Sequence, residues 1–387
     1  MKKLLVFLAL LFIAMPSMAY DWQAQSNDDI HKDMVRFARD FSKRAKGTPQ
    51  GKILKELIKQ QKKFSSDRYA WIGQTVDAVL RMEKICTPTE DDKTKKACMR
   101  RNMLLLLDYP LHTDNRAKDA PKKLKETFSQ VSESYRAQGR KRALTELEKA
   151  PKLKDGELQV IKIYNCGVIL RTSKRTIAVD IKWEGDDTGA QTIASKIDAF
   201  FLSHPHKDHY SESMVRALAQ KNVHAILPKN ILPQLMWKNK HVIFEDHFRP
   251  IDINGIRTVI QTGYQKNVPN NAYILEMDGW RILLPGESGQ YKRLYEFSDM
   301  EAPHLILVPT WNKADKVFYA VSKMQSYSPS GTFCIPEHEN ELTHTINHRE
   351  SYRELFTRKD RLGDGEKKYP RIILLDIGET YILSKGL

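Results

Sequence analysis

The chain has 387 residues, 41% of them hydrophobic and 29% charged, with 18 glycines and 17 prolines. These proportions exclude a disordered, collagen-like or linker-dominated chain, and the length suffices for two or three domains of about 150 residues. The formal charge of +15 admits an anionic partner, but Lys and Arg are dispersed into short clusters such as Arg140-Lys141-Arg142, which argues against a nucleic-acid-binding stripe.

Lys2 and Lys3 precede an apolar run, Leu4 to Ala14, and Ser17-Met18-Ala19 supplies small residues at a cleavage point. This pattern predicts a secretory signal over residues 1–19, too short for a spanning helix. Its removal takes away two lysines and no acid, leaving +13 on a mature chain beginning at Tyr20. The expected location is therefore periplasmic or secreted. An oxidising compartment favours disulfides. Cys86 and Cys98 flank a polar segment, Thr87 to Ala97, and are expected to close it with a bridge contributing about 3 kcal/mol. No C-x2-C spacing marks these cysteines as a zinc knuckle. Cys166 and Cys334 lie in strand-like apolar runs and read either as buried thiols or as a second bridge.

Residues 20–150 read as a helical domain. Met34, Val35, Phe37, Ala38 and Phe41, then Ile53, Leu54, Leu57 and Ile58, recur at three- and four-residue intervals, as one face of a helix requires. Tyr69 to Ile85, Met99 to Leu107 and Leu124 to Leu147 continue the pattern, with Pro110, Pro121 and Pro151 as punctuation. No chemical constellation stands out here, and His31 and His112 read as exposed surface residues.

The period changes in residues 151–387. Val160 to Tyr164, Cys166 to Leu170 and Thr176 to Ile181 read as strands, the last two joined by the turn Thr172 to Arg175. Ala199 to Leu202 is an apolar run suited to a strand buried on both faces. Ser211 is placed to cap a helix running to Gln220. Asp278-Gly279 forms the turn of a hairpin between Ala272 to Met277 and Trp280 to Leu284. Leu305 to Pro309, Gly331 to Pro336 and Arg371 to Ile377 are further strands, and Glu341 to Phe356 reads as a helix. Strands alternating with helices predict a layered α/β domain.

Chemistry concentrates in Ser203-His204-Pro205-His206-Lys207-Asp208-His209. Histidines two apart in extended backbone point to the same side, so His204 and His206 can share one metal. Asp208 and His209, at the turn into the next helix, can hold a second. Imidazole and carboxylate suit zinc, and also iron or manganese.

The stretch from Leu202 to His209 resembles the signature of the metallo-β-lactamase fold superfamily, with the resemblance extending over roughly residues 158–387. It implies an αββα sandwich holding one or two metals at the sheet edges. It further implies hydrolysis, by metal-activated water, of an ester, lactam, lactone or phosphodiester. Carried over position by position, Asp180 at the end of Thr176 to Val179 would orient the histidine loop from behind. Glu287 in Pro285-Gly286-Glu287 stands where the family places a bridging Asp. His338, after Thr332 to Pro336, would be the last ligand. Asp208 is the candidate catalytic residue as well as a ligand. His344 and His348 lie near the site rather than among its ligands. A third histidine for the first metal is expected between His209 and Gly286, but Thr262 to Asn271 contains none.

These features predict an exported metal-dependent hydrolase, with zinc as the default metal, acting on a small or polymeric substrate that can be anionic. They also predict one tight metal on the Asp208–His209–His338 side and a second that is weak or absent. The missing histidine and the Glu-for-Asp exchange support a different class, a binding protein that kept the fold and lost efficient hydrolysis. A basic phosphodiesterase or nuclease is the third reading, and steep salt dependence of nucleic-acid binding would mark it.

Overall fold

A computed structural model describes residues 22, 25–61, 67–88, 94–113, 119–228, 242–243, 249–265, 267–287, 291–308, 314–338, 342, 350–362 and 369–385. The predicted signal segment, His344 and His348 lie outside these residues. The chain divides into two compact units, Met1–Tyr135 with Glu339–Arg361, and Arg136–His338 with Leu362–Leu387. No helix among the described residues is long and apolar enough to cross a membrane.

The first unit contains helices α1 (Asn27–Arg44), α2 (Pro49–Gln61), α3 (Ala70–Glu83) and α4 (Lys95–Leu111), and the start of α5 (Lys122–Lys149). Helix α1 shows how the sequence builds them. Ser26 Oγ accepts from the Asp29 amide, acids occupy the first turn and Lys43 and Arg44 the last, and Ile30, Met34, Phe37 and Phe41 form the buried stripe. Thr94 caps α4 in the same way.

Two expectations fail in this unit. His112 is fully buried rather than exposed. It follows the last turn of α4, where its Nδ1 meets the Asp108 carbonyl at 3.0 Å and its ring stacks on Trp22 at 4.7 Å. His31 is half-buried and stacks on Trp71 at 5.1 Å. The Cys86–Cys98 bridge is not formed. Cys86 turns into the core, where its Sγ accepts from Gln50 Nε2 at 3.2 Å, while Cys98 is half-buried in the first turn of α4.

The second unit is a two-sheet sandwich. Its first sheet takes β1 (Glu157–Tyr164), β2 (Gly167–Arg171), β3 (Thr176–Val179), β4 (Ala199–Phe201), β5 (His224–Ile226), β6 (Val242–Ile243) and β14 (Thr380–Ser384), in the order β14-β1-β2-β3-β4-β5-β6. The second takes β7 (Ile251–Ile253), β8 (Ile256–Gln265), β9 (Val268–Met277), β10 (Trp280–Leu284), β11 (Leu305–Val308), β12 (Phe333–Pro336) and β13 (Arg371–Ile372), in the order β13-β12-β11-β10-β9-β8-β7. Each sheet is antiparallel on one side and parallel on the other, with the change at β3 in the first and β10 in the second.

Alternate residues such as Val168, Leu170, Ile177 and Val179 join Ile260, Tyr273, Leu275 and Ile282 in one core between the sheets. Strands β4, β11 and β12 are buried on both faces, which is why they read as unbroken apolar runs. Helices α6 (Asp187–Ala194), α7 (Glu212–Gln220) and α8 (Ala314–Val321) connect the parallel strands, and Ser211 caps α7 through the Met214 amide.

The last helix, α9, spans Tyr352–Leu362 and, up to Arg361, falls in the first unit. Its described start lies well beyond the predicted Glu341. Ser351 explains that start. Its Oγ accepts from the Glu354 amide and the Glu354 carboxylate accepts from the Ser351 amide, a reciprocal capping box.

Candidate metal centre

Candidate ligands gather where strands end. Ser203 to His209 follow β4, Glu287 follows β10, His338 follows β12, and Asp180 follows β3. Asp180 and His338 hold left-handed backbone, at φ 47° and 63°. Non-glycine residues rarely adopt this conformation unless their surroundings enforce it.

Asp180 ties the histidine loop together. Its carboxylate accepts from the Ser203 amide at 2.7 Å, from Ser203 Oγ at 2.6 Å and from His209 Nδ1 at 3.0 Å. With Nδ1 held by Asp180, His209 turns its Nε2 toward Asp208 and Glu287. That Nε2 is buried and has no hydrogen-bond partner, which is how a metal-ligating imidazole is prepared. The second sheet holds the same loop, since Tyr273 Oη donates to the Leu202 carbonyl at 2.6 Å and the Asn271 amide to the Ser203 carbonyl at 2.8 Å. Replacing Asp180 with Asn should weaken metal binding roughly 10- to 100-fold with little change in fold; equilibrium dialysis against a competing chelator measures it.

Gly286 positions Glu287. Its φ of +60° is left-handed, and a Cβ there would stand 2.2 Å from Asn270 Oδ1 and 2.7 Å from the Asn271 carbonyl. Only glycine lets the turn after β10 come this close. The Glu287 carboxylate then lies between two groups of ligands. One oxygen contacts His338 Nε2 and is 3.4 Å from His209 Nε2; the other is 3.9 Å from His204 Nε2. Asp208 Oδ2 lies 3.5 Å from His209 Nε2 and 3.8 Å from His338 Nε2. His204 Nε2 meets His206 Nδ1 at 3.0 Å. The structure thus brings together His204, His206, Asp208, His209, Glu287 and His338, with Asp180 behind them.

A residue missed from the sequence joins them. Cys166 is buried in the turn between β1 and β2 rather than within a strand. Its Sγ and donor atoms of His209, Glu287 and His338 all lie within 4.8 Å of one another. His204, His206 and Glu287 form a second such group. Where the third histidine was expected, Gln265 at the end of β8 donates to Glu287 Oε2 at 2.5 Å. The local sign for Cys166 was the pair Asn165-Cys166 between two antiparallel apolar runs, a turn rather than a strand start.

The electrostatics suit a cation. Burial drives the charge off His204, lowering its pKa to about 2 and leaving a neutral imidazole with a lone pair. Burial opposes charge on Glu287 and Asp208 too, but the facing His338 and His209 rings hold both carboxyls well below the usual range. Against the same burial, Cys166 raises His209 and His338 well above ordinary imidazoles, with help from Asp180 and Glu287 respectively. The carboxylates thus favour positive charge among these donors, and a divalent ion would supply it through the N, O and S ligands that zinc takes. The residues present therefore fit a metal centre.

The two mixed sheets and the ligands at their strand ends define a metallo-β-lactamase-like domain. Residues 163–327 match the family model described as "Beta-lactamase superfamily domain". Similar solved structures include Igni18, a metallo hydrolase from Ignicoccus hospitalis, at 14% identity and a TM-score of 0.46, covering 59% of this chain and 99% of that one. The metallo-β-lactamase fold protein YhfI from Bacillus subtilis is 13% identical with a TM-score of 0.41, covering 59% and 100%. CmlA, a diiron β-hydroxylase from Streptomyces venezuelae, is 11% identical with a TM-score of 0.38, covering 60% and 55%. No curated protein matches the chain.

Proposed function

We propose that the protein is an exported metal-dependent hydrolase that cleaves an ester, lactone or phosphodiester-type bond. The observation that carries this reading is the buried double donor set sharing Glu287. Zinc is the default ion, and iron or manganese suit the histidine and carboxylate ligands as well. A bound divalent ion supplies a water of lowered pKa and polarises the electrophilic oxygen.

The chain's own residues do the rest. Asp180 and Ser203 orient the imidazoles, and the neutral His204 keeps a lone pair available. Asp208 is less enclosed than His209 or Glu287 and faces both His209 and His338. It is the candidate catalytic carboxylate, ionised and placed to help hold the ion and orient its water.

Metal-loaded protein should hydrolyse p-nitrophenyl esters, lactones or bis(p-nitrophenyl) phosphate, and chelation should abolish turnover. Gln265 in the expected histidine position supports the second reading, a binding protein on the same fold. Full metal occupancy without turnover on any of the three substrate classes would favour that reading and overturn hydrolysis.

Export rests on the basic start, apolar run and small-residue cleavage point of residues 1–19. Intact mass of protein recovered from the periplasm or medium should correspond to a chain starting at Tyr20. Recovery of uncleaved Met1 from that fraction would rule the processing out.

A further inference from the structure

We propose that Cys166 is a thiolate ligand of this metal centre, so that one half of the site binds through sulfur and the other does not. The inference rests on reading the site as a metal centre, and it adds a ligand that the family signature does not supply. A buried thiol is ordinarily a small apolar residue. Cys166 is buried, but its Sγ shares its surroundings with the donor atoms of two imidazoles and a carboxylate. It takes part in no disulfide.

The backbone delivers it there. The pairing of β1 with β2 shifts register between Lys162 and Tyr164, so the strands close at Tyr164–Gly167 with Asn165 and Cys166 as the turn. Asn165 takes left-handed backbone at φ 52°, and its Nδ2 lies 3.4 Å from both the carbonyl and Oδ2 of Asp208. The turn is thereby fastened to the histidine loop at the residue beside His209. Gly167 completes the fit, because a Cβ there would stand 3.1 Å from the Tyr164 carbonyl and 3.2 Å from the Asp180 carbonyl.

Two donor sets of different character result. Cys166, His209, His338 and Glu287 give one sulfur, two nitrogens and one oxygen. His204, His206 and Glu287 give nitrogen and oxygen only. Thiolate donors favour zinc and cobalt over magnesium, calcium or manganese. The thiol proton is released to solvent as the sulfur–metal bond forms. The sulfur-containing half is then the tight and selective one, and the His204–His206 half exchanges more readily.

Cobalt(II) substitution tests this with a readout independent of turnover. The metal-stripped full chain, reconstituted with cobalt, should show visible d–d bands together with a near-ultraviolet thiolate-to-cobalt charge-transfer band. Cys166→Ser should lose the charge-transfer band and keep the d–d bands, while Cys86→Ser and Cys334→Ser keep both. Zinc X-ray absorption on the unaltered protein needs no variant and should find one sulfur scatterer at about 2.3 Å. A cobalt-loaded protein with d–d bands but no charge-transfer band, or zinc coordinated by nitrogen and oxygen alone, overturns the ligand assignment while leaving the metal centre intact. A chain that retains neither ion overturns both readings.

Discussion

Replacing His209 with Ala is expected to strip the protein of its tightly held metal and of any hydrolysis. His209 offers its unpartnered Nε2 to the half of the site that contains Cys166, Glu287 and His338, with Asp208 at 3.5 Å. Altering a residue that merely orients a ligand costs roughly 10- to 100-fold in affinity, so deleting the ligand itself should exceed about 100-fold. His338→Ala removes a ligand from the same half and should behave alike. His204→Ala should leave most of the tight metal in place while lowering activity, because among the described residues the His204–His206 half has Glu287 alone to complete it. Metal content after dialysis against a mild chelator separates these outcomes. Two metals retained equally, or tight binding that survives His338→Ala but not His204→Ala, would reverse the assignment of the two halves.

The second large effect lies in the helical unit. Asp108, fully buried on α4, accepts from the Tyr352 amide through Oδ1 and from the Arg353 amide through Oδ2, both at 2.8 Å. It satisfies the first-turn donors of α9 that the Ser351–Glu354 capping box leaves over. Asp108→Ala strands two N–H groups and should destabilise the unit by about 2–5 kcal/mol, measured as a lowered melting temperature.

Burial pushes the Asp108 carboxyl up to about 7, against the pull of the two amides and Arg353. A folded value above the ordinary 3.8 means the native state keeps this proton longer than the unfolded chain does. Its contribution to stability is therefore fully present below about pH 4 and falls as pH rises toward 7, by something on the order of 4 kcal/mol. Asp108→Asn cannot titrate. The difference in stability between wild type and this variant should change across pH 4–7 and be flat above it. A difference that stays constant across that window would refute the assignment.

Much of the molecule was legible locally. The three- and four-residue spacing of Ile30, Met34, Phe37 and Phe41 makes a helix wherever it occurs, and the Ser26 and Ser211 caps act within three residues. The strands from β1 to β4 and the Asp278-Gly279 hairpin follow from alternation, apolar runs and turn chemistry. The His204 to His209 run carries its own geometry, because extended backbone sends alternate side chains to the same side.

What the sequence by itself determined, then, were the elements, the α/β class of the C-terminal part and the candidate ligands within the histidine loop. Tertiary structure alone decided which distant residues meet. Asp108 faces α9 across 244 positions, and no local pattern announces a cap supplied from so far away. His112 sits among polar neighbours in sequence yet is buried against Trp22. Cys86 lies near Cys98 in the chain but turns to Gln50 instead. Cys166 looked like part of a strand until the register shift of β1 on β2 placed it in the turn beside His209. Helix and strand signals depend on the period of a few neighbouring residues, whereas a buried polar group finds its partner only when the sheets and helices have packed and desolvated it.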